Sequence, residues 1–372
     1  MRVLVLNAGS SSLKASVVDE GRAIARATIE WGSDATRRPD REAGLRSALE
    51  ELFLAGSPLG SIEAVGHRVV HGGARHVEPT PIDDELQAEI AALAELAPLH
   101  NTIAAETIVA ARRVLPSLTH VAVFDTAFHA SLPEEAHTYP LPLRWRDEWG
   151  IRRFGFHGLS VEWSVERTAG LLGRASADLR VVVAHFGSGC SVTAVDGGRS
   201  VDTSMGFTPL EGVMMGTRAG SIDPGIVLHL LRQRRIRLAP LADVLDHGSG
   251  LVGIAGTSDM RRLEARAAAG EERARLAIAL FVRRVAAGIA AAATALPILD
   301  AVVFTGGIGE HAATVRSAIV GRLAALGVGS VPPAPVDADG ILSAPGASPA
   351  VVRIEAREDL VAARHVERAL AW

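Results

Sequence analysis

The sequence predicts an α/β protein that contains two related half-domains. Residues 2–18 and 180–196 share one pattern, in which an apolar strand leads through a Gly/Ser-rich turn into an alternating second strand. The two copies begin roughly 180 residues apart, which indicates an internal duplication. The chain has 372 residues and is longer than one hydrophobic core usually supports. We place the halves at 1–150 plus 356–372 and at 151–355.

The composition is that of a soluble globular protein, with 48% hydrophobic and 22% charged residues. The net charge of −4 excludes a strongly basic nucleic-acid-binding protein on bulk charge. Cys190 is the only cysteine, so no disulfide can form within the chain. The most apolar window, Val285–Val303, contains Pro297 and Asp300 and favours a buried helix followed by a strand over a membrane span. No targeting segment is visible, and we expect a cytoplasmic protein without a nucleic-acid or membrane partner.

The turn of the first hairpin carries groups that suit phosphate and metal chemistry. It runs from Asn7 through three serines to Lys14, the only lysine in the chain. Hydroxyls, turn amides and an ammonium can bind phosphate oxygens or a metal-bound water. An arginine-rich sequence that keeps one lysine indicates a need for a compact charge, because arginine is a broad planar fork. The alternative is a surface lysine that survived by chance.

The turn of the second hairpin, Gly187–Gly189, lets backbone N–H groups approach an anion without interference from Cβ atoms. Two such hairpins indicate two half-domains that face one nucleotide. A Gly/Pro-rich stretch follows from Met205 to Gly225, with Arg218 between small residues. A loop of this length inside a compact domain is usually functional or disordered. Its apolar residues argue against disorder.

Three single residues stand out by their positions. Arg68 lies in an apolar strand before a glycine pair, where a guanidinium is costly unless it meets an anion; a structural ion pair is the alternative. Asp125 follows a short strand, the usual place for a metal-associated carboxylate, and a helix cap is the alternative. His157 is flanked by glycines, which favours a donor to a ligand over a neutral core histidine.

Hydrophobic periodicity predicts the remaining elements. Helices are expected at 41–56, 82–96, 102–115, 226–235, 261–295, 312–326 and 360–370, and strands at 62–70, 121–124, 301–304 and 351–354. The Pro-, Trp- and Arg-rich segment 139–160 is interpreted as the crossing between the halves. The glycine turn at 306–310 follows a strand and would bring backbone against a flat group such as adenosine. Its spacing is not GxGxxG, so a dinucleotide site is not expected.

Seven motifs together resemble the acetate and propionate kinase family over nearly the whole chain. They are LNAGSSSLK at 6–14, HRVVHGG at 67–73, APLHN at 97–101, FDTAFH at 124–129, RRFGFHG at 152–158, SVDTSMGFTPLEGVMMGTR at 200–218 and TGGIGE at 305–310. The resemblance implies the duplicated actin/hexokinase/Hsp70-like (ribonuclease H-like) fold, with two domains around a central cleft. It also implies a homodimer, with an apolar C-terminal region as the candidate surface.

The activity implied by the resemblance is reversible, ATP-dependent phosphorylation of acetate to acetyl phosphate and ADP, with Mg²⁺ or Mn²⁺. This chemistry belongs to acetyl-CoA biosynthesis. Propionate or another short-chain carboxylate is the alternative substrate. A catalytically weak nucleotide-binding protein of the same fold is a further alternative.

The resemblance also implies a role for each motif residue. Asp125, His157, Arg68 and Arg218 would be catalytic, with His157 and Arg218 stabilising the transition state. Arg68 would also bind the substrate carboxylate, and the pocket for its methyl group would be formed by Val70, Leu99, Phe156 and Pro209. Asn7 and Glu358 would hold the metal, and Asp125 would manage its waters. The nucleotide would be bound by Ser10, Ser12, Lys14, His185, Gly187, Ser188, Gly189, Asp259, Met260, Arg261, Gly306, Gly307, Ile308, Gly309 and Glu310.

Several departures from the family pattern bear on rate and substrate range. Ser188 replaces an asparagine in the phosphate turn, and Val161 replaces a second histidine after GFHG. Ser221 replaces an acid near Arg218. None of the departures removes a catalytic residue or the lysine, so we expect a divergent but active enzyme.

Overall fold

The computed structural model describes residues 1–9, 12–31, 40–56, 59–95 and 97–371. The chain divides into two compact units. Unit 1 contains Met1–Ala130, Phe156–Ser160 and Arg357–Trp372, and unit 2 contains Ser131–Gly155 and Val161–Ala356. Residues 131–150 therefore belong to unit 2, whereas the sequence placed them with the first half-domain. Residues 156–160 belong to unit 1, whereas the sequence placed them with the second half-domain.

The described residues of unit 1 form a six-stranded sheet. Its strands are β1 (Val3–Ala8), β2 (Ser12–Asp19), β3 (Arg22–Glu30), β4 (Ala64–Val69), β5 (Thr80–Pro81) and β6 (Thr119–Phe124). Their order is β3-β2-β1-β4-β6-β5. Strands β1 to β3 pair antiparallel, β1 is parallel to β4, and β4 is parallel to β6. The first four residues of β1 are buried, as expected for the apolar run of a central strand.

The sheet of unit 2 repeats this topology. Its strands are β7 (Arg180–Phe186), β8 (Cys190–Asp196), β9 (Arg199–Thr203), β10 (Ala301–Thr305), β11 (Gly340–Ile341) and β12 (Ala350–Arg353). Their order is β11-β12-β10-β7-β8-β9, with β7 parallel to β10 and β10 parallel to β12. The predicted hairpins, β1–β2 and β7–β8, therefore occupy equivalent places in the two sheets. The predicted duplication is confirmed.

Helices connect and cover the strands. They are α1 (Arg41–Leu54), α2 (Asp84–Ala92), α3 (Pro98–Val114), α4 (Glu134–His137), α5 (Leu143–Trp149), α6 (Gly158–Leu172), α7 (Pro224–Gln233), α8 (Leu238–His247), α9 (Gly250–Ala255), α10 (Met260–Ala268), α11 (Glu272–Ala293), α12 (Gly306–His311), α13 (Ala313–Val320) and α14 (Glu358–Leu370). Aspartates cap α1 and α2, where the carboxylates of Asp40 and Asp83 accept backbone N–H groups of the first turn. Helices α1, α3 and α14 pack on the sheet of unit 1.

The structure differs from the predicted elements at several places. Helix α3 begins at Pro98 rather than at residue 102, because proline is well suited to the first helical turn, where its missing N–H has no partner to lose. Helix α6 starts within the predicted crossing segment. The predicted glycine turn at 306–310 forms the short helix α12, and strands β3 and β9 were not predicted.

Helix α11 is the one helix in the described residues that is long and apolar enough to cross a membrane by length and composition. Its buried face packs against β7 and β8. A core helix passes the same length and composition test. The expected buried helix followed by a strand is confirmed in α11 and β10.

Candidate active site

Unit 1 brings four predicted site residues together at one edge of its sheet. Arg68 lies near the end of β4, and Asp125 directly follows β6. Asn7 lies near the end of β1, and Glu358 is the first residue of α14. Because β1, β4 and β6 are parallel, their carboxyl ends meet at this edge, where ligands bind in open α/β sheets.

Arg68 is the centre of this cluster. Its Nε donates to both carboxylate oxygens of Asp125 at 3.1 Å, and its Nη2 donates to Oδ2 at 2.6 Å. Its Nη1 donates to Oε2 of Glu358 at 3.0 Å and to Oδ1 of Asn7 at 3.3 Å. A guanidinium has five N–H groups, so these contacts leave one N–H of Nη2 without a partner among the described residues. An incoming carboxylate can accept a hydrogen bond from it.

The cluster places two carboxylates against one guanidinium. The side chain of Arg68 is 14% exposed and that of Asp125 is 1% exposed. Burial opposes ionisation of Arg68, but the negative charges of Asp125 and Glu358 raise its pKa above the usual value, so it stays charged. Burial raises the pKa of Glu358; Arg68 opposes this rise and the Asp125 charge adds to it. Two carboxylates therefore share one guanidinium in this cluster.

The first hairpin turn lies beside this cluster. Lys14 is exposed and pairs with Asn7 across β1 and β2. Its positive charge acts on Glu358 and lowers the pKa of that carboxyl against the rise caused by burial. The carbonyl of Ser12 accepts the N–H of Gly9 at 2.8 Å, which closes the turn. Ser10, which the sequence also assigned to the nucleotide, lies outside the described residues.

The oxygen atoms of the cluster are suited to a divalent cation. No group of three or more His, Cys, Asp or Glu side chains forms a metal site within the described parts of the chain. The cluster instead offers the carboxylates of Asp125 and Glu358 and the amide oxygen of Asn7. Mg²⁺ commonly binds one or two carboxylates and keeps several waters. The donor set fits this ion.

His157 has a left-handed backbone conformation, with a φ of 59°. This conformation costs a residue other than glycine about 1–2 kcal/mol. The next residue, Gly158, donates its N–H to the carbonyl of Asp125 at 3.1 Å, and a Cβ at this position would lie 2.1 Å from that oxygen. Only glycine allows this contact, which ties His157 to the end of β6. Strain that is held by its surroundings is frequent at functional sites.

The residues predicted to surround the substrate methyl group lie in both units. Val70 is half-buried after β4, and Phe156 is 1% exposed. The Phe156 carbonyl accepts a hydrogen bond from Nε2 of His129 at 3.0 Å, and burial lowers the pKa of His129 to about 4, so this ring is neutral near pH 7. Leu99 lies in the first turn of α3, but its side chain is outside the description. Pro209 belongs to unit 2.

Asn101 is a residue of this region that the sequence analysis did not assign to the site. Its Oδ1 accepts the N–H of His71 at 3.0 Å, and its Nδ2 donates to the His71 carbonyl at 2.8 Å. These two bonds fix the backbone directly after Val70. The available signal was rarity, because Asn7 and Asn101 are the only asparagines in the chain.

In unit 2, the loop between β9 and α7 is stabilised by hydrogen bonds between its own residues. Ser221 donates its N–H to the carbonyl of Gly212 at 2.8 Å, and its Oγ accepts the N–H of Gly212 at 3.1 Å. Met215 donates its N–H to the carbonyl of Arg218 at 3.0 Å. The loop is therefore ordered around Arg218, in agreement with its apolar content.

The guanidinium of Arg218 is half-buried and has no carboxylate within salt-bridge distance among the described residues. Its Nη1 donates to the carbonyl of Pro209 at 3.4 Å, and its buried Nε has no hydrogen-bond partner. Burial lowers the pKa of Arg218, against the opposing charge of Asp246. A desolvated cation without a counter-ion is destabilising, so this arrangement is typical of a group that binds an anion.

The turn between β7 and β8, Gly187–Gly189, lies near the Arg218 loop in unit 2. Its first glycine donates an N–H to the carbonyl of its last at 2.9 Å, and the side chain of Ser188 is exposed. The Ser188 carbonyl lies 3.6 Å from where a Cβ on Gly216 would be. Burial raises the pKa of Cys190, the residue after the turn, and the charge of Arg218 opposes that rise. Unit 2 thus brings this turn and a cation together.

Two further predicted nucleotide segments lie in unit 2. Asp259 caps α10, where its Oδ1 accepts the N–H of Arg261 at 3.0 Å. Met260 is 4% exposed and belongs to the core. His185 lies in β7 and is 7% exposed.

Helix α12 holds Gly306, Gly307, Ile308, Gly309 and Glu310. The space around a Cβ on Gly307 is open, so backbone is accessible there. The carboxylate of Glu310 accepts the N–H of Ala356 at 3.0 Å and lies 3.6 Å from Nη2 of Arg353, a side chain that is 2% exposed. These contacts occupy the Glu310 carboxylate within unit 2. Arg353 was not identified from the sequence.

The whole chain is similar to one family of proteins. A model of the acetokinase family matches residues 2–364. The chain belongs to the acetokinase family. Acetate kinase from Deinococcus deserti is 44% identical over 394 aligned positions, which cover 100% of this chain and 98% of that relative. Acetate kinase from Streptomyces griseus is 45% identical and covers 88% of this chain and 85% of its own length.

Solved structures of the acetokinase family share the fold. A propionate kinase from Francisella tularensis superimposes with a TM-score of 0.86 at 34% identity and covers 98% of both chains. Acetate kinase from Porphyromonas gingivalis gives a TM-score of 0.86 at 30% identity and covers 99% of both chains. The duplicated α/β fold expected from the motifs is thereby confirmed.

The departures from the acetokinase pattern have structural counterparts. Ser221 closes the Arg218 loop through its hydroxyl and backbone N–H, so the serine has a role of its own. Val161 is fully buried in the core of unit 2. Ser188 is exposed in its turn and leaves the backbone amides as the defining feature of that turn.

Proposed function

We propose that this enzyme transfers the γ-phosphoryl group of ATP to acetate and forms acetyl phosphate and ADP reversibly. The observation that carries the proposal is the guanidinium of Arg218, which lacks a carboxylate partner and lies near the amides of the Gly187–Gly189 turn. Such a cation is available to a phosphoryl group. The acetate kinases that resemble the chain support acetate as the acceptor.

The proposed reaction needs positioned charge rather than a general base. A carboxylic acid with a pKa of about 4 is ionised at pH 7, so the acceptor is already a nucleophile. The Nη2 N–H of Arg68 that has no partner among the described residues would donate to this carboxylate. Phosphoryl transfer then depends on alignment and on neutralising charge at the equatorial oxygens. His157 and Arg218 would donate hydrogen bonds to those oxygens.

Asn7 and Glu358 would hold Mg²⁺, and Asp125 would orient the waters around it; Mn²⁺ suits the same oxygen donors. When bound, the ion supplies positive charge to phosphate oxygens. Glu358 must be ionised to act as a ligand, and a cation beside it lowers the pKa that burial raises.

ATP would be bound by four groups of residues. They are Ser10, Ser12 and Lys14 from the first hairpin turn, His185, Gly187, Ser188 and Gly189 from the second, Asp259, Met260 and Arg261 at α10, and Gly306–Glu310 at α12. Met260 is buried and the Glu310 carboxylate is occupied, so these two residues would contribute through their backbone.

We also propose a cytoplasmic homodimer that has no nucleic-acid or membrane partner. Helix α7 has no buried residue, and its Ile226 and Leu228 are each 49% exposed. On the neighbouring α8, Leu238 is 72% exposed. Exposed apolar patches mark interaction surfaces, and these side chains are the candidates for such a patch. Light scattering after gel filtration would show one chain mass rather than two if this proposal is wrong.

Propionate is the second candidate acceptor. The propionate kinase from Francisella tularensis, which has the same fold over the full chain, favours keeping it. One extra methylene in an apolar pocket changes binding by only about 1–3 kcal/mol, so the discrimination must be measured.

Hydroxamate trapping of acyl phosphate tests both acceptors. We expect product from ATP, Mg²⁺ and acetate, a lower kcat/KM for propionate, and a still lower value for butyrate. Arg218→Ala should lose activity by orders of magnitude and keep the wild-type circular dichroism spectrum. Lys14→Arg should also lose activity, because the planar fork does not replace a compact charge. Absence of product from the wild-type enzyme with every C2–C4 acid would reject the function.

A further inference from the structure

The orientation of Arg218 depends on one carbonyl group. Within the described residues, the only hydrogen bond from its side chain goes to Pro209, from Nη1 to the carbonyl oxygen at 3.4 Å. The Nε atom is buried and unpartnered, so it does not fix the side chain. Whatever holds the Pro209 carbonyl therefore holds the guanidinium.

The backbone around Pro209 is held by side chains two residues away on either side. Before it, the N–H of Phe207 donates to the hydroxyl of Tyr139 at 2.8 Å. After it, the carboxylate of Glu211 accepts a hydrogen bond from the same hydroxyl. Tyr139 is the only tyrosine in the chain, and its single oxygen thus joins both sides of the Pro209 turn.

Arg153 binds the same carboxylate. We call the group formed by Tyr139, Arg153 and Glu211 the bracket. Its Nη2 donates to Oε1 of Glu211 at 2.9 Å. Its Nη1 donates to the carbonyls of Thr203 at 2.9 Å and Ser204 at 3.1 Å, where the loop leaves β9. Its guanidinium also lies 5.5 Å from the centre of the Tyr139 ring, a cation–π distance.

The backbone passes directly over the bracket. A Cβ at Gly206 would lie 1.7 Å from Oε2 of Glu211 and 2.0 Å from the Tyr139 oxygen. No side chain fits there, so the segment is packed against these two groups without space to shift. Burial and Glu211 raise the pKa of Tyr139, which keeps its hydroxyl protonated as a donor.

We propose that Tyr139, Arg153 and Glu211 are positioning residues that orient Arg218 through the carbonyl of Pro209. The proposal rests on the proposed function, in which Arg218 donates to the transferring phosphoryl group. The bracket touches no reacting atom, so it acts on the rate of transfer and not on the binding of ATP. Pro209 is also predicted to line the pocket for the substrate methyl group, so the KM for acetate does not separate the two effects. Misplacement of a catalytic group by about 1 Å can cost about 100-fold in rate.

The test combines Tyr139→Phe with Arg218→Lys in a double-mutant cycle. Tyr139→Phe removes only the hydroxyl and should lower kcat about tenfold, with the KM for ATP changed less than about twofold. In the Arg218→Lys background the same change should lower kcat less than about twofold, because the group that it positions is absent. Glu211→Gln is the second variant; it keeps the shape of the side chain and should show the same pattern.

Arg174→Ala is the matched control. It removes an ion pair of similar length in unit 2, between Nη1 of Arg174 and Asp300 at 2.8 Å, which has no contact with the loop. It should leave kcat unchanged.

Tyr139→Phe with wild-type kcat would overturn the proposal, and so would a tenfold loss that persists in the Arg218→Lys background. Both results require a wild-type enzyme that forms acyl phosphate. They are therefore distinct from failure of the proposed function, in which the wild type forms none.

Discussion

Arg68→Ala and Arg218→Ala should both abolish phosphoryl transfer. Only Arg68→Ala should also lower the stability of the fold. Arg68 is the partner of two carboxylates, Asp125 at 1% and Glu358 at 17% exposure. Removing one member of a buried ion pair leaves an uncompensated charge and costs about 3–5 kcal/mol. Arg218 has no such partner, so its removal relieves a desolvated cation and should change stability by no more than about 1 kcal/mol.

The difference is large enough to appear in thermal unfolding. For a domain of this size, 1 kcal/mol corresponds to about 2–4 °C, so Arg68→Ala should lower Tm by roughly 6–20 °C. The loss should shrink at pH 5, since the raised pKa of Glu358 lets protonation remove part of the unpaired charge. Arg112→Ala is the control, because its partner Asp84 is 93% exposed and exposed pairs contribute little.

The assay is circular dichroism on heating, read together with hydroxamate formation at 25 °C. A Tm for Arg218→Ala as low as that for Arg68→Ala would contradict the distinction between a paired and an unpaired guanidinium. A wild-type Tm for Arg68→Ala would show that the carboxylates do not depend on it.

Three other outcomes are expected. Gly158→Ala should lower the free energy of unfolding by at least about 2 kcal/mol, because its Cβ would lie 2.1 Å from the Asp125 carbonyl oxygen. Gly170→Ala is the control, since it lies in the same helix with open space around its Cβ and should keep the wild-type stability. Urea titration of both variants measures the difference. Since His129 is neutral when folded (pKa about 4) and has an ordinary pKa of 6.5, stability should fall as pH drops from 6.5 towards 4. His129→Gln should remove about 2 kcal/mol of the urea-measured loss between pH 7 and pH 5, and an unchanged slope would contradict this. Mg²⁺ should raise the Tm of the wild type more than that of Glu358→Gln, and equal shifts in differential scanning fluorimetry would argue against Glu358 as a ligand.

The sequence predicted the parts of the fold that have a local signal. Both hairpins were visible because an apolar run, a Gly/Ser turn and an alternating run are adjacent in the chain. Arg68 and Asp125 were visible because charged groups at the ends of apolar strands are unusual. Strand β3 was hidden because its buried positions are Ala25 and Ala27, and alanine has a low strand propensity. Its arginines, Arg22 and Arg26, are exposed, as is usual in an edge strand.

Other features have no local signal. Tyr139 and Glu211 are 72 residues apart, and Arg153 and Glu211 are 58 apart, so only the folded chain shows that they meet. Glu310 was assigned to the nucleotide from its motif, but its carboxylate is bound by Ala356 and lies beside Arg353, 46 and 43 positions away. A motif therefore predicts which segment contributes to a site, but not which group each of its side chains contacts.

The order of synthesis matters for this enzyme, because Arg68 receives its second carboxylate from helix α14. Glu358 is translated 290 residues after Arg68, and α14 then packs so closely on β4 that a Cβ at Gly66 would lie 2.8 Å from Val366. A nascent chain therefore lacks the helix that covers this sheet, and Arg68 lacks its second carboxylate, until α14 has been translated. Premature termination before α14 would leave a product that chaperones and proteases can recognise, and a separate α14 peptide is the natural reagent for complementing it.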